Sequence, residues 1–352
     1  SGENYFVLDG IFFTPGLELN DAGFMTEADR VRMGGEAGHR WLSPGKHFRN
    51  AAVSTFGLQA LNFGGTNVQR YGGIQTSGTT LGFTSLSLAL RYDARALSDR
   101  ETRGGPLLLM PATTSVSGSV NSDSRKLVSG GVSVVAQRDD RGGSNFTLGP
   151  RLRLQPRSGW DAEITPSYQH AEFNAFYVNT ARDALAAQTF GSRYVFANLS
   201  RNTLSTSVRL NAYFTPNLTL QTYAQPFVAT GDYRAFKELV SGRDYRFASY
   251  GGTGSPITLD APNNRYSVDP DGAGPATAFS FNNPDFHVVS LRSNVVLRWE
   301  YSPGSTIFLA WNDSGANGLS DPRFRAFRDL GDVFRADMRH VFLFKVNRYF
   351  SL

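Results

Sequence analysis

In HVVSLRSNVVLRWEY, residues His287 to Tyr301, alternate side chains sort into two rows. One row is His287, Val289, Leu291, Ser293, Val295, Leu297, Trp299 and Tyr301. The other is Val288, Ser290, Arg292, Asn294, Val296, Arg298 and Glu300. A period of two is the strand signature, because successive side chains of a strand point to opposite faces. The first row suits an apolar surrounding and the second suits water. Thr203–Phe214, Phe146–Gln155 and Trp160–His170 repeat the pattern, with Arg151, Arg153, Asp161, Glu163 and Arg209 on their polar rows. A two-sheet sandwich rarely places Arg, Asp and Glu so regularly on one face of long strands. A barrel with a wet interior does.

The composition supports strands that are greasy on one face only. The chain has 352 residues, 40% hydrophobic and 13% aromatic, with no Cys. Its mean hydropathy is −0.29. Among its greasiest runs is Pro106–Ala112, far short of the roughly 20 apolar residues a spanning helix needs. Crossing a bilayer therefore requires a closed barrel, in which every backbone group is paired. The net charge is +5, but the Arg residues are spread along the chain and alternate with apolar residues, so nucleic acid is not the expected partner. The lack of Cys excludes disulfides and thiolate metal sites. No signal peptide begins at Ser1, which points to a mature, processed or truncated chain.

Connections alternate in length. Ser43–Lys46, Asn121–Arg125, Gln155–Gly159, Thr215–Asn217 and Ser302–Ser305 carry the Pro, Gly, Asn and Ser of tight turns. Between them lie about Pro15–Asp29, Leu97–Pro106, Asn174–Gly191, Thr230–Phe286 and Gly315–Arg339. This alternation predicts an all-β fold: a transmembrane antiparallel up-and-down barrel of roughly 14 strands, with short periplasmic turns and long extracellular loops. Counting back from Leu352 puts both termini on the periplasmic side. Residues 1–352 then form one barrel domain, with 230–286 as a long extracellular loop. Parity favours one long strand over Ser192–Phe214, whereas Phe48–Gly73 alternates poorly. Phe342, Phe344, Val346, Phe350 and Leu352 share a face of the last strand. Trp160, Trp299, Trp311, Tyr213 and Tyr301 fall near strand ends, where they suit a headgroup belt or a sandwich core.

Several runs carry a family resemblance: Leu19-Asn20-Asp21-Ala22-Gly23-Phe24, Phe214-Thr215-Pro216-Asn217-Leu218, Tyr223-Ala224-Gln225-Pro226-Phe227, Asn283-Pro284-Asp285-Phe286, Arg298-Trp299-Glu300-Tyr301 and Val341-Phe342-Leu343-Phe344-Lys345-Val346. Together they resemble the C-terminal outer-membrane β-barrel domain of unknown function that in its family follows a module similar to family-nine carbohydrate-binding modules. The resemblance implies a bacterial outer-membrane location and further barrel strands upstream. Two departures stand out. The sandwich module is missing here, and Arg348 stands where the family usually places an aromatic.

Candidate chemistry falls into three groups. Arg91, Asp93, Arg151, Arg153, Asp161, Glu163, Arg209, Arg292, Arg298 and Glu300 face inward, either as a solute-selecting charged lumen or as ion pairs bracing the wall. Tyr233, Phe236, Tyr245, Arg246, Phe247 and Tyr250 form either a loop surface for a sugar or partner, or a loop packed on its own aromatics. Asp269 and Asp271 in Val268-Asp269-Pro270-Asp271-Gly272 read as a turn or as a fragment of a calcium loop, although the downstream Glu of an EF-hand is missing. The five His show no zinc spacing. No nucleophile elbow or phosphate-cradling loop is present, so no catalytic residue and no cofactor is expected. Asp321, Asp329, Asp332 and Asn312-Asp313-Ser314 are the residual acidic candidates.

Three functions follow as expectations. The first is a porin-like conduit, for carbohydrate-derived solutes if the resemblance's sandwich module is a guide, whose small inward side chains Thr113, Ser115, Ser117 and Ser119 favour an open lumen. The second is a non-conducting anchor or assembly subunit. The third is a membrane-embedded hydrolase. The expected partners are outer-membrane lipid and other subunits or an N-terminal part completing the barrel.

Overall fold

The computed structural model describes residues 3–18, 25 and 27–350. The run Leu19–Phe24 and the final Leu352 lie outside the described residues. In chain order the strands are β1 (Asn4–Phe13), β2 (Arg30–Trp41), β3 (Phe48–Leu61), β4 (Asn67–Thr80), β5 (Ser85–Asp93), β6 (Ala96–Ser98), β7 (Leu108–Met110), β8 (Thr113–Asn121), β9 (Val128–Asp139) and β10 (Ser144–Leu154). They continue with β11 (Trp160–Arg182), β12 (Ser192–Thr215), β13 (Leu218–Leu239), β14 (Phe247–Ser249), β15 (Ile257–Asp260), β16 (Arg265–Val268), β17 (Phe279–Asn282), β18 (Phe286–Ser302), β19 (Ser305–Gly318) and β20 (Met338–Asn347), with helix α1 (Ala326–Val333) before β20.

One antiparallel sheet dominates, in the order β1-β2-β3-β4-β5-β8-β9-β10-β11-β12-β13-β18-β19-β20, with β14 added to β13. The hairpin β6–β7 and the three-stranded β15-β16-β17 stand apart from it. Register carries each sequence row across the whole sheet. Leu88 pairs with Gly118, Gly118 with Val134, Val134 with Leu148, and Leu148 with Tyr168. Tyr168 pairs with Leu204, Leu204 with Val228, and Val228 with Val289. Residues paired across strands share a face, so the sheet has one continuous apolar face and one continuous polar face.

The fold is all-β in its main sheet, but the expected closed barrel is not what forms. Among the described residues β1 pairs with β2 and β20 with β19, and β1 and β20 do not pair with each other. The sheet is open, with a row of unpaired backbone groups at each edge. An open sheet edge cannot be satisfied in hydrocarbon. The membrane-spanning barrel, the outer-membrane location with periplasmic termini, the lipid partner and the barrel-completing partner all rested on closure and are corrected with it. No helix among the described residues is long and apolar enough to cross a membrane. Alternation cannot report closure, because it records which face a side chain takes and not whether the first strand reaches the last.

Strand lengths also differ from the reading by turns. β11, β12 and β13 run 23, 24 and 22 residues, roughly 70–80 Å at about 3.3 Å per residue. The expected loop from Asn174 is strand as far as Arg182, and β13 continues through Thr230 to Leu239. Register shifts at Phe173/Phe176 and Tyr177/Asn179, and at Phe196/Asn198, break the alternation there. A bulge adds a residue to one strand and bends it, which hides the strand from a period-two reading. The poorly alternating Phe48–Gly73 forms β3 and the start of β4, where Gly57 faces Gly72 and leaves a gap in one row of each strand.

The core lies where these long strands rise past their neighbours. Val195, Ala197, Leu199, Tyr233, Phe236, Tyr250, Val268 and Phe281 form one buried cluster beneath β15–β17. Leu108, Tyr194, Phe196 and Leu239 form a second against the β6–β7 hairpin. A third joins Val228 and Val289 of the sheet to Val333 of α1.

Candidate functional site: the charged face of the sheet

Strand register brings all ten sequence-chosen charged residues to the polar face. Arg91 and Asp93 lie on β5, Arg151 and Arg153 on β10, Asp161 and Glu163 on β11, Arg209 on β12, and Arg292, Arg298 and Glu300 on β18. Arg153 pairs with Glu163, Glu163 with Arg209, Arg209 with Tyr223, and Tyr223 with Asn294. Ser87, Ser115, Ser117, Ser119, Thr147, Ser205 and Gln225 fill the rows between them, so the face is rich in hydroxyls and amides.

The four carboxylates all have an arginine partner. Arg91 Nε donates to Asp93 Oδ2 at 2.8 Å, and its guanidinium lies 3.6 Å from the centre of the Tyr71 ring. Arg151 Nη2 donates to Glu163 Oε2 at 2.6 Å. Arg153 makes a two-point contact with Asp161 at 2.8 and 3.2 Å. Arg298 Nη2 donates to Glu300 Oε2 at 2.9 Å. The hydrogen bond from Arg153 holds the Asp161 carboxyl below its ordinary value. The Gly304 amide, helped by Arg298, does the same for Glu300. Such pairs brace neighbouring positions, but at exposed sites each is worth only about 0–1 kcal/mol.

Two guanidiniums are left over. Arg209 and Arg292 are exposed and have no carboxylate partner among the described residues. They stand on β12 and β18, on either side of β13, which presents Tyr223 and Gln225 between them. Arg209 lies 5.4 Å from the Tyr223 ring centre. Adjacent strands are about 4.8 Å apart, so the two arginines flank a strip roughly 10 Å wide.

The six loop residues are placed differently. Tyr233, Phe236 and Tyr250 lie within the cluster under β15–β17. Phe236 packs 4.6 Å from Tyr266 and 5.3 Å from Phe281. The Tyr250 hydroxyl donates to Glu238 Oε2 at 2.8 Å, and burial pushes its titration well up. Tyr245 and Phe247 pack edge-to-face in the second cluster, where burial raises the Tyr245 hydroxyl to about 12. Arg246 is exposed and paired with Asp244. The structure therefore divides these residues between two interiors and the surface. Asp269 Oδ1 accepts from the Gly272 amide at 2.9 Å, and Asp271 Oδ2 from the Ala276 amide at 2.9 Å. Both carboxylates shape their own turn, and no group of three or more candidate metal ligands occurs among the described residues.

The residual acidic candidates do not assemble a hydrolase. Ser293 Oγ donates to Asp313 Oδ2 at 3.3 Å, and His340 Nδ1 bonds the same carboxylate. Serine and histidine thus each contact the aspartate, and no histidine nitrogen activates the serine as a nucleophile requires. Sequence reasoning missed Tyr223 and Gln225, which the rows of β13 would have shown. It also missed the contact of His287 with Asp329. Its signal was a histidine standing in an otherwise apolar row.

Fold and site together define an open, antiparallel all-β protein with an ion-paired, arginine-rich polar face. The chain belongs to the family described as a domain of unknown function (DUF5916), whose model matches residues 1–351. Neither a curated protein nor a solved structure matches it. The family description names no activity, membrane barrel or carbohydrate-binding module. The resemblance read from the sequence runs is therefore corrected to membership of this family, and the conduit, anchor and hydrolase readings have nothing left to carry them.

Proposed function

We propose that this chain is a binding protein for a small dianion, carboxylate or phosphate in type, held on the polar face between Arg209 and Arg292. One observation carries the reading: every acid of the charged set is matched by an arginine, and these two arginines remain unmatched on either side of Tyr223 and Gln225. A guanidinium offers a planar fork of donors suited to carboxylate or phosphate oxygens. The Tyr223 hydroxyl and Gln225 amide supply neutral donors between the two charges. The neighbouring ion pairs hold the wall and keep other arginines occupied.

Calorimetric titration with citrate and with pyrophosphate at low salt, against a neutral sugar, tests this. Both anions should bind, the sugar should not, and added salt should weaken binding. Arg209→Gln and Arg292→Gln should each weaken binding at least about tenfold, since a charged hydrogen bond contributes about 1.5–3 kcal/mol. Failure of both anions to bind, or unchanged affinity in the double variant, would remove the proposal.

A further inference from the structure

Helix α1 lies on the apolar face of the sheet, opposite the charged one. Val333 packs on Val228 and Val289, with Leu204, Leu291, Leu319 and Phe324 around them. Phe324 stacks on Tyr168 at 5.7 Å between ring centres. Two polar side chains are sealed into this contact: His287 of β18 is 2% exposed and Asp329 of α1 is 0% exposed.

The geometry fixes where the protons are. His287 Nδ1 lies 2.6 Å from the Asp321 carbonyl oxygen. A carbonyl can only accept, so Nδ1 carries a hydrogen. The other nitrogen, Nε2, has no hydrogen-bond partner and faces Asp329 Oδ2 at 3.5 Å. With Nδ1 protonated, a neutral ring would turn the Nε2 lone pair toward a carboxylate, two acceptors facing each other. A proton between Nε2 and Asp329 turns the same contact into a buried ion pair.

We propose that docking of α1 takes up one proton at the His287–Asp329 contact, making the helix a pH-sensitive cover over the apolar face. The other charges nearby belong to the helix side. Arg328 Nε donates to Asp329 Oδ1 at 2.9 Å, and the Arg325 amide donates to Oδ2 at 2.6 Å. The Asp321 carboxylate is held by Arg323, with Arg325 and Arg328 at 3.8 Å. From the sheet side β13 presents Val228 and Thr230, and β18 presents Val289, none of them charged. Along the same row Thr230 and Asn202 separate His287 from His170, which is paired with Glu172. The Arg328 side chain is taken up by Asp329, and no group among the described residues donates to Nε2. The missing proton is therefore the imidazole's own. A free imidazole gives it up near neutrality, so the docked helix loosens as pH rises.

Hydrogen–deuterium exchange over residues 319–336 at about pH 6 and about pH 8, corrected for intrinsic exchange, tests this on the whole chain. One linked proton changes an equilibrium by at most about tenfold per pH unit. Protection should fall several-fold to about tenfold at the higher pH, while the β11–β13 peptides stay protected. Asp329→Asn should lose the pH dependence, because a neutral amide has no charge to hold a proton on Nε2. His287→Gln should also lose the pH dependence. Equal wild-type protection at both pH values, or the same pH dependence in both variants, would overturn the proposal. Should a variant fail to fold, the wild-type profile alone decides between these outcomes.

Discussion

The tall strands β11–β13 and the outer strands β1 and β20 are both rich in large apolar side chains, yet they meet opposite fates. On the tall strands Val195, Phe196 and Leu199 are sealed from solvent. On β1 and β20 Leu8 is 71% exposed and Phe342 74%. The difference does not lie in local hydrophobicity. β11–β13 rise past their neighbours, bend at bulges, and are roofed by β14–β17 and the β6–β7 hairpin. β1 and β20 are ten residues each and have nothing laid across them among the described residues. Alternation determines facing, and burial needs a second layer.

The largest effect that could break this comparison is at Phe196. Its ring packs edge-to-face on Tyr177 and Phe247 with no exposure, so Phe196→Ala should cost about 3–5 kcal/mol in denaturant unfolding. Phe342→Ala on β20 should stay within about 1 kcal/mol. Equal losses would mean the outer strands are covered after all.

A smaller effect separates buried from exposed ion pairs. Arg193 bonds Asp183 at 2.6 Å and Glu238 at 2.6 Å, its side chain only 13% exposed. Removing it leaves two largely buried carboxylates unpaired, so Arg193→Met should cost about 2–4 kcal/mol. Arg298→Ala, on the open polar face, should cost about 0–1 kcal/mol. Unfolding curves of the two variants give both values.

The third effect is the smallest and concerns pH. The hydrogen bond from Arg193 holds the Asp183 carboxyl below its ordinary value. A depressed folded-state value contributes stability above the ordinary carboxylate value of about 4 and loses it as pH falls through the folded-state value. Acid should therefore loosen the β11–β12 end, seen as faster exchange around residues 183–193, from just below about pH 4 downward. Arg193→Met should flatten that part of the acid profile. An unchanged profile in the variant would detach the effect from this pair.

Much of the wall was legible in the rows of residues. The ten charged positions share one face because a strand's period is two, and tight turns such as Gly159 and Gly304 were marked by residues that accept their positive φ of 83° and 72°. The upper ends of β11 and β13 were not legible, because bulges at Phe173–Asn179 and near Phe196 shift the alternation. The roof was read as loop because β14–β17 span only three or four residues each, too short for a periodic signal. Beyond His287's place in an apolar row, the helix contact was not legible, because it joins residues 287 and 329 through an intervening strand and loop.

By itself the sequence determined that this is a strand protein with one greasy and one charged face, since alternation is local and each residue's side is set by its neighbours. Only the tertiary structure decided that the sheet stays open, which carboxylates take which arginines, and which apolar positions are covered. Those outcomes depend on contacts between residues far apart in the chain, and no local period records them.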